Sequence, residues 1–109
     1  MRLQGRLVRM MGRVHGIART VGRKDAGLAK QMRESSSSVA LNFGEGIWAR
    51  GGNRTTRLDT SLNSARETVL ALLCAQEAGY APAASVQPEL KELDECIAQL
   101  WVLTHRPAR

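Results

Sequence analysis

Hydrophobic residues recur at helical spacing from the start of the chain. The first series steps alternately by four and three residues and comprises Leu3, Leu7, Met10, Val14, Ile17 and Val21. This alternation keeps the side chains on one face of an α-helix, as in a heptad seam. The pattern predicts a first helix over residues 3–23, followed by a turn near Asp25, Ala26 and Gly27.

A second helix is predicted over residues 28–48, and its apolar face contains serines. One narrow sector of this helix holds Leu28, Met32, Val39, Phe43 and Ile47, and Ser35 and Ser36 fill the gap within it. A serine run alone is typical of a flexible linker, but here apolar residues flank it at helical spacing. We therefore expect another helix to approach closely at the serines, because small side chains leave room.

Two further helices follow, separated by turns that contain glycine or proline. The pair Gly51-Gly52 favours a helix-to-helix turn, and Asn53 offers an N-cap for a third helix over residues 54–78. The fourth helix is predicted over residues 85–105, where the expected buried residues are Leu90, Leu93, Ile97, Leu100 and Trp101. Long helices joined by short turns indicate one all-α domain, residues 1–109, folded as an antiparallel, up-down four-helix bundle.

Several apolar residues fall outside the predicted seams. They are Leu41 and Trp48 on the second helix, Leu70 on the third and Leu103 on the fourth. A few exposed apolar side chains are ordinary, but their recurrence on several helices indicates burial against other subunits. We therefore expect a homo-oligomer in which these four residues form the contacts.

Composition narrows the possible locations of the chain. The longest uninterrupted apolar run, residues 69–75, is far shorter than the roughly 20 residues that a membrane-spanning helix needs. Arginines are spread through the apolar residues of the N-terminus, which is unlike a secretory signal. We expect a cytoplasmic protein with no membrane span.

Residues that usually carry chemistry are isolated in this sequence. Cys74 and Cys96 lack a metal-binding spacing and are expected to be buried small hydrophobes, and His15 and His105 lie at opposite ends of the chain. Glu45 has no second carboxylate at a useful helical spacing. No glycine-rich phosphate loop follows a predicted strand. We expect no catalytic residue, no metal and no cofactor, and hence no enzyme.

Charge is concentrated in the first half of the chain. Residues 1–57 hold twelve basic and three acidic residues, a net charge of +9, whereas residues 58–109 hold four basic and seven acidic residues, a net charge of −3. The first helix carries a stripe beside its apolar seam, the arginine stripe, made of Arg2, Arg6, Arg9 and Arg13.

The arginine stripe predicts binding of phosphates, because guanidinium groups bind them through charge and forked hydrogen bonds without reading base sequence. Arg50, Arg54 and Arg57, near the turn between the second and third helices, are expected to supplement it. RNA and DNA backbones are therefore candidate partners. No aromatic residues are interleaved with the stripe, which argues against a platform for stacking single-stranded bases.

Three polar residues lie along one edge of the second helix: Ser38, Asn42 and Glu45. Their spacing of four and three residues aligns the side chains. An architectural role is open to them, through hydrogen bonds to another helix or to the loop after Trp48. A binding role is also open.

At these positions the sequence resembles a known family. The matching residues are Gln31-Met32-Arg33, Ser38-Val39, Asn42, Glu45-Gly46, Asn53, Ser64-Ala65-Arg66-Glu67 and Gly79-Tyr80. They resemble the four-helix-bundle proteins encoded within intervening sequences of large-subunit ribosomal RNA genes, which are similar to the accessory variability determinants of diversity-generating retroelements. The resemblance covers roughly residues 25–105. The chain departs from the family pattern in its serine-rich segment Ser35–Ser38 and its arginine-dense first helix.

The resemblance implies an antiparallel four-helix bundle, a homopentameric barrel and no catalytic centre. In the retroelement branch it also implies basic surfaces that bind nucleic acid and a reverse transcriptase. The leading hypothesis is therefore a non-enzymatic, oligomeric, nucleic-acid-binding accessory protein, with a reverse transcriptase as one potential partner. The alternative is a scaffold whose basic surface binds acidic protein partners. A membrane-surface role for the first helix is a weaker third hypothesis.

Overall fold

A computed structural model describes residues 2–106 of the chain. Its four helices are α1 (Arg2–Val21), α2 (Ala26–Trp48), α3 (Gly51–Glu77) and α4 (Ala83–His105). Within the described residues there is no strand, so the predicted all-α class is confirmed. None of the helices in residues 2–106 combines the length and apolarity that crossing a bilayer requires.

Local sequence accounts for most of the helix ends. Asp25 caps α2, because its Oδ1 accepts a hydrogen bond from the backbone N–H of Leu28 at 2.9 Å. The predicted cap at Asn53 is wrong: α3 begins at Gly51, and its N-cap, Arg50, makes no side-chain capping bond. Gly51 and Gly79 have φ angles of 59° and 77°, which glycine adopts without steric cost at the two turns.

The helices close into a ring around one core. Packing joins α1 to α2, α2 to α3, α3 to α4 and α4 back to α1. The core is made of the seam residues of all four helices, and its largest buried side chains include Phe43, Leu7, Met10, Leu58, Leu72 and Leu93. The result is an elongated molecule of 47 × 22 × 19 Å. A single core of this kind fits one four-helix domain.

Hydroxyl contacts hold α2 close to α3. Ser35 and Ser36 are buried, and Thr68 Oγ1 donates a hydrogen bond to Ser35 Oγ at 2.9 Å. Ser61 Oγ donates to the carbonyl oxygen of Val39 at 2.7 Å. The expectation that another helix packs closely on the serine face is therefore met by α3.

The order of contacts places the helix ends relative to one another. Arg6 of α1 contacts Glu92 of α4, whereas Arg13, further along α1, contacts the earlier residue Glu89. On the α2–α3 side, a Cβ at Gly46 would lie 2.9 Å from Arg57 Cβ, so the end of α2 meets the start of α3. A Cβ at Gly44, near the end of α2, would lie 3.6 Å from Nε2 of Gln4, near the start of α1. The start of α1, the turn between α2 and α3 and the end of α4 therefore lie at the same end of the bundle.

Some expected burial states are wrong. Trp101 is 48% exposed instead of buried and stacks on His105, with ring centroids 4.1 Å apart. Cys74 is exposed, whereas Cys96 is buried and its burial raises the pKa of the thiol. Leu103 is half-buried against the core, although its place outside the predicted seam indicated exposure, and its role as a subunit contact stays a prediction. Residues at the border of a seam contact different neighbouring helices from one turn to the next. The spacing of apolar residues alone does not predict which of these border residues are buried.

Candidate nucleic-acid interface

Three arginines of α1 line one open cleft. The cleft has a volume of about 630 Å³ and is lined by Arg2, Gly5, Arg6, Arg9 and Glu92. Gly5 leaves room for this arrangement, because a Cβ at this position would lie 3.1 Å from Nη1 of Arg9, at the flexible end of that side chain. The Arg9 side chain therefore lies back over Gly5, towards the other two arginines. Three guanidinium groups and one carboxylate give the cleft lining a net positive charge. We call it the arginine cleft.

Arg6 is held in place by α4. Its Nε donates to Glu92 Oε2 at 2.9 Å, and its Nη2 donates to Glu92 Oε1 at 2.7 Å and to Glu95 Oε1 at 3.1 Å. The hydrogen bond to Glu92 raises the pKa of Arg6, and the same contact lowers the pKa of Glu92. Arg6 is thus already engaged by carboxylates of the same chain, which reduces the charge that it offers to a phosphate, and its role in nucleic-acid binding stays a prediction.

The other two arginines of the cleft retain unneutralised charge. Arg2 and Arg9 make no ion pair with any carboxylate of residues 2–106, and both side chains are exposed. An anion in the cleft would therefore meet two available guanidinium groups beside a third that is fixed. Charge-assisted hydrogen bonds from arginine are stronger than neutral ones, particularly when they are bidentate.

Arg13 belongs to a separate pocket. Its Nε donates to Glu89 Oε2 at 2.7 Å, and the lining of this 280 Å³ pocket also includes Gly16, Thr20 and Ser85. Glu89 is only 6% exposed, and its Oε1 has no hydrogen-bond partner among the described residues. The structure therefore does not bring Arg13 to the arginine cleft, although the stripe groups it with Arg2, Arg6 and Arg9.

The polar edge of α2 contacts α3. Ser38 Oγ lies 2.7 Å from Ser64 Oγ, and Asn42 Nδ2 donates to Ser38 Oγ at 3.0 Å. Arg57 Nη1 donates to Asn42 Oδ1 at 3.2 Å and lies 2.9 Å from Glu45 Oε2. This arrangement favours the architectural role for Ser38, Asn42 and Glu45, and it engages Arg57 as well.

Basic residues cluster at one end of the molecule. We call this the basic end and define it by Arg2, Arg50, Arg54, Arg57 and Arg106. Arg50 and Arg54 make no ion pair with the described carboxylates. Arg2 and Arg106 line an adjoining groove of about 540 Å³ between the start of α1 and the end of α4. Arg106 was not among the residues expected to bind nucleic acid, because its place beside Arg2 depends on how the helices pack.

The carboxylates of α4 were also missing from the sequence-based site. Glu89, Glu92 and Glu95 repeat at steps of three, which gives an acidic stripe on the fourth helix. Matching that stripe to the arginines of the first helix would have indicated their pairing. Among residues 2–106, no group of three histidine, cysteine, aspartate or glutamate side chains is arranged to hold a metal ion.

Comparison with known proteins assigns the chain to a family. A family model described as 23S rRNA-intervening sequence protein matches residues 8–101. The chain belongs to this family. The resemblance carried by Asn42, Glu45-Gly46 and Gly79-Tyr80 is thereby confirmed for the intervening-sequence proteins.

A solved structure extends the likeness of this intervening-sequence protein to the fold. It is the crystal structure of a protein of unknown function from the S23 ribosomal protein family of Bacteroides thetaiotaomicron, with a TM-score of 0.86 and 16% sequence identity. The alignment covers 94% of this chain and 98% of that chain. At this level of identity the likeness concerns the fold alone. No curated protein matches the sequence.

Proposed function

We propose that this intervening-sequence protein is a non-enzymatic accessory protein of the cytoplasm that binds the phosphate backbone of nucleic acids. The observation that carries the proposal is the arginine cleft, in which Arg2 and Arg9 retain their charge beside the fixed Arg6. Arg50 and Arg54 extend the positive surface across the basic end. Backbone contacts of this kind bind strongly at low salt and read little sequence.

Assembly is part of the proposal. Each helix packs on the next one in the chain and α4 packs on α1, which supports an antiparallel, up-down bundle. The family resemblance suggests a homopentameric barrel built from such bundles. Leu41 and Leu70 are 64% and 62% exposed on α2 and α3, which supports their role as subunit contacts. A pentamer would repeat the arginine cleft around its symmetry axis, so individually weak phosphate contacts would add through multivalency.

A reverse transcriptase is the protein partner that we include in this proposal. The resemblance to accessory determinants of diversity-generating retroelements suggests it. In that setting the basic end would hold template or primer, and the remaining surface would be free for the enzyme. Co-purification with the reverse transcriptase of the same genome, in the presence of nuclease, separates a protein contact from a bridge made by nucleic acid.

A scaffold for acidic proteins is the second candidate. The observation that favours it is the Arg6 geometry, because this guanidinium already binds two carboxylates within the chain, Glu92 and Glu95. Acidic side chains of a partner could be bound by Arg2 and Arg9 in the same way. Such a partner would bind these arginines more tightly than a nucleic-acid backbone does.

Titration of the purified protein into labelled duplex DNA and structured RNA tests the leading proposal. We expect binding to both, with affinity that falls steeply and linearly as log salt concentration rises. Absence of binding at low salt, with the protein folded and assembled, would contradict the proposal and leave the scaffold as the better account.

A further inference from the structure

Both tryptophans of this protein lie outside its core. Trp48, the last residue of α2, is 82% exposed, and Trp101 on α4 is also well exposed. The chain contains no other tryptophan. Tryptophan is normally much buried because of its large apolar area. Two exposed indoles in a chain of this size therefore indicate a surface that meets something else.

Trp48 lies at the basic end. It ends the helix whose last turns meet the start of α3, and it is followed within two residues by the exposed Arg50. Arg54 lies in the first turns of α3, and Arg2 lies at the same end of the four-helix bundle. Trp101 is also near this end, next in sequence to Val102, which lines the groove that Arg2 and Arg106 share. Both indoles thus lie at the same end of the bundle as Arg2, Arg50 and Arg54.

The two indoles differ in what already covers them. Trp101 is stacked on the imidazole of His105, with an angle of 18° between the rings. Trp48 has no aromatic partner among the described residues. Of the two, Trp48 therefore offers a ring face that is available to a planar ligand.

An exposed indole at the same end of the bundle as several arginines fits one form of nucleic acid better than another. In a duplex the base faces are stacked on one another, and a protein meets only edges and backbone. A single strand can place a base on an aromatic ring while its phosphates contact arginines, and such stacking tolerates any base. We propose that this protein binds single-stranded nucleic acid in preference to duplex, with Trp48 as the platform on which a base stacks.

This inference rests on the proposed function and narrows it. No aromatic residue is interleaved with the arginine stripe of α1, whereas Trp48 lies on α2 and shares only the basic end of the molecule with that stripe. The stacking role of Trp48 also competes with the expectation that Trp48 is a subunit contact. The two roles differ in a measurable way, because loss of a subunit contact changes the mass of the assembly and loss of a stacking platform does not.

The test compares an unstructured oligothymidine of about twelve nucleotides with a duplex of equal length. Four proteins are titrated against both: the wild type, Trp48→Ala, Trp48→Phe and the control Leu73→Ala, which removes an exposed apolar side chain near the end of α3 that is opposite the basic end. In a Trp101→Phe background, Trp48 is the remaining indole, and its fluorescence reports directly on stacking. Light scattering and circular dichroism accompany each variant.

We expect the wild type to bind the single strand more tightly and its Trp48 fluorescence to be quenched on binding. Trp48→Ala should weaken single-strand binding by about 5- to 150-fold and leave duplex binding nearly unchanged. Trp48→Phe should retain most of the affinity, and Leu73→Ala all of it. Salt dependence should persist in every variant, because the arginines remain.

Three results would overturn the inference. Equal losses on single strand and duplex, or no loss on either, would exclude stacking while leaving backbone binding in place. A smaller assembly in Trp48→Ala would assign the residue to a subunit contact. No binding of either nucleic acid by the wild type would remove the proposed function and this inference together.

Discussion

Arg6 and Glu92 form a bidentate ion pair between α1 and α4: Arg6 Nε donates to Glu92 Oε2 at 2.9 Å, and Arg6 Nη2 donates to Glu92 Oε1 at 2.7 Å. Glu92 also lines the arginine cleft. The pair therefore has two effects: it joins the first and last helices of the chain, and it reduces the positive charge that an anion meets. Both effects lead to measurable consequences.

The first prediction concerns pH. The Arg6 contact lowers the pKa of Glu92 in the folded protein below its ordinary value of 4.5. The resulting stabilisation is fully present above that ordinary value and is lost as the pH falls through the lower folded-state pKa. In Glu92→Gln the unfolding free energy, measured by urea denaturation, should therefore decrease less than in the wild type as the pH is lowered. Asp94→Asn, which removes a carboxylate that makes no ion pair within residues 2–106, should keep the wild-type pH profile.

A second prediction follows from the same pair. Removing the negative charge of Glu92 leaves Arg6 available within the arginine cleft. Glu92→Gln should therefore bind nucleic acid more tightly than the wild type and show a steeper salt dependence. Asp94→Asn adds the same net charge outside the cleft lining and should have a smaller effect. Equal effects of the two variants would mean that net charge, and not the cleft, governs affinity.

The third prediction concerns the α2–α3 contact at Gly46. A Cβ there would lie 2.9 Å from Arg57 Cβ and 3.1 Å from a methyl carbon of Leu58. Gly46→Ala should lower the unfolding free energy by about 1–3 kcal/mol, because the helices must move apart. Gly44→Ala is the matched control, since its Cβ would meet only the flexible end of Gln4 at 3.6 Å. We expect it to be neutral or stabilising by up to about 1 kcal/mol through helix propensity. Equal losses in both variants would contradict close packing at Gly46.

The fourth prediction concerns the hydroxyl contact between Thr68 and Ser35, at 2.9 Å in the buried α2–α3 interface. A double-mutant cycle with Ser35→Ala and Thr68→Val should give a coupling energy of about 0.5–1.5 kcal/mol. Thr60→Val is a suitable control, because the exposed Thr60 hydroxyl bonds only to the carbonyl of Thr56 in its own helix. Additive effects of the two changes would show that the contact contributes nothing of its own.

The fifth prediction concerns assembly. Light scattering should give a mass several times the 11.9 kDa of the chain. Leu70→Glu should reduce that mass while helicity is retained, because a charge cannot be buried cheaply in an apolar subunit contact. Thr60→Glu places the same charge at an exposed polar position of α3, about 80° around the helix axis from Leu70, and should leave the mass unchanged. A wild-type monomer at micromolar concentration would exclude the oligomer.

Much of the fold follows from spacing alone. The alternation of Leu3, Leu7, Met10 and Val14 predicts which face of α1 is buried, because a helix repeats every 3.6 residues whatever its neighbours are. Spacing does not predict whether a neighbouring helix covers a residue at the border of the buried face. Trp101 follows the buried Leu100 and was expected to be buried with it, but no neighbouring helix among the described residues covers it fully and it is exposed.

The candidate site was only partly predictable. Periodicity brings Arg2, Arg6 and Arg9 to one side of α1, but the pairing of Arg6 with Glu92 joins residues 86 positions apart in the sequence. The hydrogen bond of Arg13 to Glu89 was likewise not predictable, because it depends on the register of α1 against α4. The role of Gly5 in admitting the Arg9 side chain could not be read from periodicity, which treats glycine as a gap.

The central claim is that Arg2 and Arg9 bind phosphates in the arginine cleft. Its most direct test is the salt dependence of nucleic-acid affinity in Arg2→Gln/Arg9→Gln. The charge-matched control is Arg19→Gln/Arg23→Gln, which removes two exposed arginines near the opposite end of α1. We predict that the first variant binds more weakly and that its salt slope is smaller by about 0.9 per lost contact on duplex, or about 0.7 on single strands, while the control keeps the wild-type slope. Equal slopes in the two variants, with fold and assembly intact, would contradict the account.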